Sequence, residues 1–153
     1  MWVPAEEKDP ILLHAPTRKS VACFGAVSLR CGRLVTGFEP KFNGESFHRF
    51  LKSLLKHRSQ GRRMLVLVDN ATYHHARVLQ PWLHQHRKAL SLLFLPSYSP
   101  ELNPIERVWK LTRRLATHNR HFPTLNDIVE AVSERFAIWA KPNSSLARLC
   151  AIT

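Results

Sequence analysis

Two short apolar runs, Met64 to Val68 (MLVLV) and Leu90 to Leu95 (LSLLFL), constrain the fold more than any other feature. Each is too short for a buried helix and too continuous for a strand with one wet face, so each reads as a strand covered on both sides. Between them Ala76 to Arg87 has helical character, with Pro81 starting its main part or kinking it. Two strands joined through a helix pair in parallel, which predicts an α/β fold with Met64 to Val68 as a central strand.

The flanking sequence extends this plan. Ser20 to Leu29 and Leu34 to Phe38 are apolar and β-branched around Cys31-Gly32, the pattern of a β-hairpin. Asn43 is placed to cap a helix carrying Phe47, Phe50, Leu51, Leu54 and Leu55, with Gly61 just beyond its end. Pro96, Pro100 and Pro104 stiffen the loop after the second apolar run, and Ile105, Val108, Trp109 and Leu115 mark the helix that follows. Thr124 and Asp127 are set as a capping box for a last helix with Leu125, Ile128, Val129, Val132, Phe136 and Trp139 on one stripe. The predicted order is strand, strand, helix, strand, helix, strand, helix, helix, in a mixed sheet with helices on both faces. Residues 1–19, with Pro4, Pro10 and Pro16, read as an extended connecting segment, and 20–153 as one domain.

Composition limits the functional classes. With 23 Lys and Arg against 11 Asp and Glu the formal charge is +12, which favours a polyanionic partner, nucleic acid first. No apolar run approaches the ~18 residues of a membrane span and the amino terminus lacks a secretion signal, so a cytoplasmic protein with no membrane partner is expected. Cys23, Cys31 and Cys150 show no CxxC spacing and read as buried, reduced thiols.

Asp69 stands where the MLVLV strand ends, the edge at which parallel α/β sheets place ligand sites. It reads either as a ligand for a hard cation such as Mg2+ or as an Asx turn with Asn70. Glu106, in the first turn of the helix after Pro104, is either a second carboxylate at that end or half of a capping box with Asn103. Lys110 and Arg113 share its side of the helix, to pair with it or to reach a phosphate. His74-His75 and His84/His86 lack zinc-ligand spacing, and Ser97 and Ser99 lack a nucleophile elbow. Arg58, Arg62, Arg63, Arg87, Lys88, Arg107, Lys110, Arg113 and Arg114 recur around element ends and form a candidate phosphate-facing surface.

The blocks LVDNATYHHA (Leu67 to Ala76) and LPSYSPELNPIERVWKLTRR (Leu95 to Arg114) together resemble the catalytic core of DDE transposases, the mariner-like enzymes and related bacterial insertion-sequence enzymes in particular. The resemblance extends to element order over nearly the whole chain. It implies an RNase H-like domain in which three acids hold two divalent ions, Mg2+ or Mn2+, to cleave DNA at element ends and join the freed 3′ hydroxyl to target DNA. It assigns Asp69 and Glu106 as second and third acids, and Asn70, His74 and Asn103 as positioning groups. Arg62, Arg63, Arg107, Lys110, Arg113 and Arg114 become DNA-binding residues, Trp109 a core anchor, and the location cytoplasmic and nucleoid-associated.

The family's first acid ends an apolar strand that precedes the hairpin, and no such strand is present. Asp9 is the sole aspartate before Asp69, and neither it nor Glu6 or Glu7 has a strand-end context. The sequence therefore resembles a partial core, truncated at its amino terminus and missing its first central strand and the family's amino-terminal DNA-binding helices. Little or no strand cleavage is expected, together with reduced stability and association as a homodimer or with a complementing amino-terminal fragment. The rival is a non-catalytic, basic nucleic-acid-binding module in which the acids are turn and cap residues; a phosphoesterase of another family accounts less well for the NPIE block.

Overall fold

A computed structural model describes residues 12–14 and 19–152. It divides into two compact units, one of residues 1–40 and 104–153 and the other of residues 41–103, each treated by itself below. Glu6, Glu7 and Asp9 lie outside the described residues.

In the first unit, β1 (Leu12–His14), β2 (Ser20–Val27) and β3 (Leu34–Glu39) form an antiparallel sheet in that order. The expected hairpin is β2 and β3, in register from Ala22↔Glu39 to Val27↔Leu34. Strand β1 falls within the segment read as purely connecting, and pairs with Ser20 to Ala22. Among the described strands, Cys23 to Val27 of β2 therefore has a partner only on the β3 side. Helices α3 (Pro104–Thr112), α4 (Leu125–Trp139) and α5 (Ser144–Leu149) complete this unit.

Its core centres on Trp109, fully buried in contact with Phe136 at a ring-centroid distance of 6.1 Å. Gly25 makes room for that indole: a Cβ there would stand 2.3 Å from the Trp109 ring. Ile128, Val132, Phe136 and Trp139 of α4 are buried, and Thr124 with Asp127 closes the expected capping box. Helix α5 was not expected from periodicity. Its Asn143 accepts from the Leu146 N–H at 2.8 Å and donates to the Gly32 carbonyl at 2.9 Å, fastening the helix start to the hairpin turn.

In the second unit, α1 (Gly44–Leu55) is capped by Asn43, which accepts from the Ser46 N–H at 2.8 Å. Strands β4 (Met64–Val68) and β5 (Leu90–Phe94) pair in parallel as predicted, joined through α2 (Gln80–Gln85) with Pro81 in its first turn. The expectation that both strands are covered on both faces fails. Val68 and Leu90 are buried, but Leu65 and Leu93, on the other face by register, are 62% and 48% exposed. Nor is β4 central: β5 is its one partner among the described strands. An apolar run records the tendency to be buried, but covering two faces takes elements from elsewhere in the chain. No helix among the described residues is long and apolar enough to cross a membrane.

Candidate active site

Asp69 follows the last residue of β4, at the carboxyl end of the parallel pair. Its Oδ1 accepts from the Ala71 N–H at 2.9 Å, the contact of an Asx turn, and from Nδ1 of His74, also at 2.9 Å. The same Nδ1 lies 3.0 Å from the Asp69 carbonyl. Both neighbours are acceptors, so the proton sits on Nδ1, and the imidazole fixes the carboxylate to the backbone that carries it. His74 is itself buried, its ring 4.5 Å from both Phe47 and Tyr73. An imidazole in that wall has little rotational freedom, so the orientation of Asp69 is set by packing as well as by the turn.

Asn70 ties the two strand ends together. Its Nδ2 donates to the Leu95 carbonyl while the Leu95 N–H donates to the Val68 carbonyl at 2.8 Å. Its Oδ1 accepts from Nε2 of His75 at 3.1 Å, and the His75 ring stacks on Phe94 at 4.2 Å. His75 was set aside at the sequence level together with the zinc reading. Its five-residue spacing from Asn70, the same as that of His74 from Asp69, is the signal that could have found it.

Asn103 is buried, with an extended backbone (φ −93°, ψ 109°) just ahead of Pro104, the non-helical geometry of a residue that precedes a helix. Glu106 is half-buried in the first turn of α3. The structure thus gathers Asp69, Asn70, His74 and His75 into one cluster, and Glu106 belongs to the other compact unit.

The basic residues separate into three settings. Lys110, Arg113 and Arg114 line one open hollow with Thr117 and His118. Its lining includes Arg113, Arg114 and Thr117 of a wide π turn over Arg113–Thr117, with the His118 N–H donating to the Arg113 carbonyl at 2.7 Å. That extra residue in the turn brings His118 alongside the cations, which a 3.6-residue period did not indicate. Arg107 instead donates to the carbonyls of Leu149 and Ala151, both at 3.0 Å, and so satisfies the end of α5. Arg62 and Arg63 are exposed just before β4, at the opposite end of that strand from Asp69.

Oxygen donors such as Asp69 and Glu106 fit a hard divalent cation by their chemistry. Among the described residues no three His, Cys, Asp or Glu side chains converge as a ready-made metal site.

The mixed α/β arrangement is found in solved structures. The catalytic domain of the Mos1 mariner transposase matches with a TM-score of 0.73 at 19% identity, over 93% of this chain and 72% of that one. The Mos1 strand transfer complex matches at 0.68 and 19% identity, over 98% of this chain and 44% of that one. These likenesses define an RNase H-like fold. A family model described as DDE superfamily endonuclease matches residues 1–129. The chain belongs to the DDE superfamily of endonucleases, enzymes that generally use divalent metal ions.

Curated relatives match over much of the chain. An uncharacterised protein, y4pE/y4sA of Sinorhizobium fredii, is 33% identical over 69% of this chain and 75% of its own length. The 39 kDa protein of insertion element IS630 from Shigella sonnei is 28% identical over 78% of this chain, and the Tcb2 transposase of Caenorhabditis briggsae 27% identical over 72%. This chain spans 31% and 42% of the lengths of those two.

Proposed function

We propose that this chain carries the metal- and DNA-binding portion of a transposase catalytic core, acting on DNA phosphodiester bonds at element ends and in target DNA. The observation that carries the reading is the Asp69 carboxylate, held by His74 and the Ala71 N–H at the carboxyl end of a parallel strand pair. Asp69 and Glu106 would hold Mg2+ or Mn2+, two ions in the complete family site. When bound, such ions activate the attacking oxygen and stabilise the leaving one.

The other assignments concern how this chain's own groups orient and bind. His74 fixes the rotamer of Asp69, Asn70 with His75 locks β4 to β5, and Asn103 sets the start of the helix bearing Glu106. Lys110, Arg113 and Arg114, joined by His118, track DNA phosphates; Arg62, Arg63 and Arg107 add further positive charge. Among the described strands, Cys23 to Val27 of β2 is paired on one side and β4 has one partner, which supports association with a second copy or with a complementing fragment, because an open strand edge accepts another chain.

The rival reading, a non-catalytic binding module, shares one contact with the metal-site reading: the Ala71 N–H to Asp69 bond is also what an ordinary turn would make. Calorimetry with Mn2+ separates the two. Binding lost in Asp69→Asn and in Glu106→Gln supports the metal site. No binding at millimolar Mn2+, with DNA affinity intact and falling steeply with salt, leaves the module. Strand nicking by the purified chain, abolished in both variants, would overturn the expectation of inactivity.

A further inference from the structure

We infer that Tyr98 is a stacking platform for an unpaired DNA base, presented beside the Asp69 end of the β4–β5 pair. This rests on the DNA reading above and adds to it a residue that reads bases rather than phosphates.

Tyr98 is 96% exposed, the highest value among the large apolar and aromatic side chains of the described residues, so its ring is left almost wholly to solvent. Its backbone is at φ 57°, in the left-handed region that a bulky L residue avoids. Asn119 is the only other described non-glycine residue there. A solvent-facing tyrosine gains no burial that would offset such a conformation, so the surrounding loop must impose it. Pro96 and Pro100 fix the chain two residues before and two residues after, and the Ser99 hydroxyl donates to the Ser97 carbonyl at 3.3 Å. The loop is also anchored at its root, since Leu95 is held through its N–H by Val68 and through its carbonyl by Asn70, next to Asp69. An aromatic ring is thereby presented from a stiff support three residues from the clasp that orders the strand ends.

The chemistry of the loop selects the ligand. Leu95 to Asn103 holds no Lys or Arg and one acid, Glu101, so it is not built to track phosphates, whereas the hollow at Lys110, Arg113 and Arg114 is. A neutral ring offers a π face, which matches the face of a base. Paired bases inside a duplex show only their edges, so the accessible faces belong to ends, overhangs and flipped nucleotides.

The test compares a blunt duplex with the same duplex carrying a single-stranded overhang that contains a fluorescent purine analogue, using the full chain at low salt. Stacking predicts that Tyr98→Ala loses about fivefold to a hundredfold in affinity for the overhang substrate. It also predicts unchanged affinity for the blunt one, loss of the analogue's quenching in Tyr98→Ala, and its return in Tyr98→Trp. Tyr98→Gly supplies a readout apart from binding: it relieves the positive φ, so thermal stability rises while overhang binding falls. Equal overhang affinity and quenching in the parent chain and Tyr98→Ala overturn the inference and leave the DNA reading standing. A parent chain that binds neither duplex overturns both.

Discussion

The Asp69 region and the Trp109 region reach order by opposite means. Around Asp69, polar groups that range from the buried His74 to the exposed Asn70 are fixed by hydrogen bonds between residues close in sequence: Asp69 with Ala71 and His74, Asn70 with His75, and one longer tie to Leu95. Around Trp109 the fixing agent is volume: an indole with no exposed surface, a glycine that gives it space, and the Phe136 ring of α4 against it. The first arrangement sets directions for chemistry at modest stability; the second supplies stability and leaves the exposed side of α3 free to carry charge.

The contrast fails first at Trp109, where the largest effect is expected. Trp109→Ala removes a wholly buried ring and should cost about 3–5 kcal/mol, read as a lower urea midpoint. Its hydrogen-exchange signature should concentrate in residues 19–40 and 104–150. Equal loss of protection around Asp69 would show that the two regions unfold as one and would end the distinction.

Gly25→Ala probes the same region by overfilling. The new methyl would stand 2.3 Å from the indole, closer than Cβ contacts come, so Trp109 or β2 must shift. A loss of about 1–3 kcal/mol is expected. Pairing Gly25→Ala with Trp109→Phe should recover part of it, and strict additivity of the two losses would argue against the indole as the obstacle.

In the Asp69 region, Asn70→Ala removes the tie to Leu95 and the acceptor of His75 together. About 1–3 kcal/mol is at stake, with faster amide exchange confined to the ends of β4 and β5. Metal affinity should weaken with it, because Asp69 is adjacent. Unchanged exchange at Leu95 would remove Asn70 from its positioning role.

What the sequence revealed follows the same division. The turn at Asp69 was legible because its contact to the Ala71 N–H is local and a strand end followed by Asp-Asn has few geometries, whereas Asn70 and His74 were singled out by the resemblance alone. The caps at Asn43 and Thr124 were legible for the same reason as that turn, and the structure adds Ser46 as the second half of a box at Asn43. Glu106 was not legible from local physics, since a carboxylate at the third position of a helix serves a cap as well as a metal, and only the resemblance carried by the NPIE block assigned it. The exposed face holding Leu65 and Leu93 escaped because an apolar run does not say which elements come to cover it. The hollow around Lys110, Arg113 and Arg114 escaped in part because a π turn shifts the phase of the helix at Arg113, and helix α5 because six residues are too few for a period. The three cysteines, expected to be alike, differ: Cys23 and Cys150 are buried and their thiols pushed up by burial, while Cys31 is only half-buried and lowered, chiefly by its hydrogen bond with Ser28.

The smallest expected effect is a pH dependence placed in the second unit. His48 of α1 lies against Trp82 at 5.3 Å, and its pKa is lowered from 6.5 first by burial, then by Lys52 and His86. A histidine with a depressed pKa in the folded state binds its proton more readily in the unfolded chain. Its contribution is fully present above pH 6.5 and is lost as pH falls through that value toward the folded pKa. Urea midpoints of the chain should therefore decline between pH 7.5 and 5, and His48→Gln should remove part of the slope, with its effect on amide exchange centred on α1 and α2. An unchanged slope in His48→Gln would assign the pH response elsewhere among the nine histidines. A slope that steepened instead would mean that His48 gains its proton on folding, which burial against Trp82 opposes.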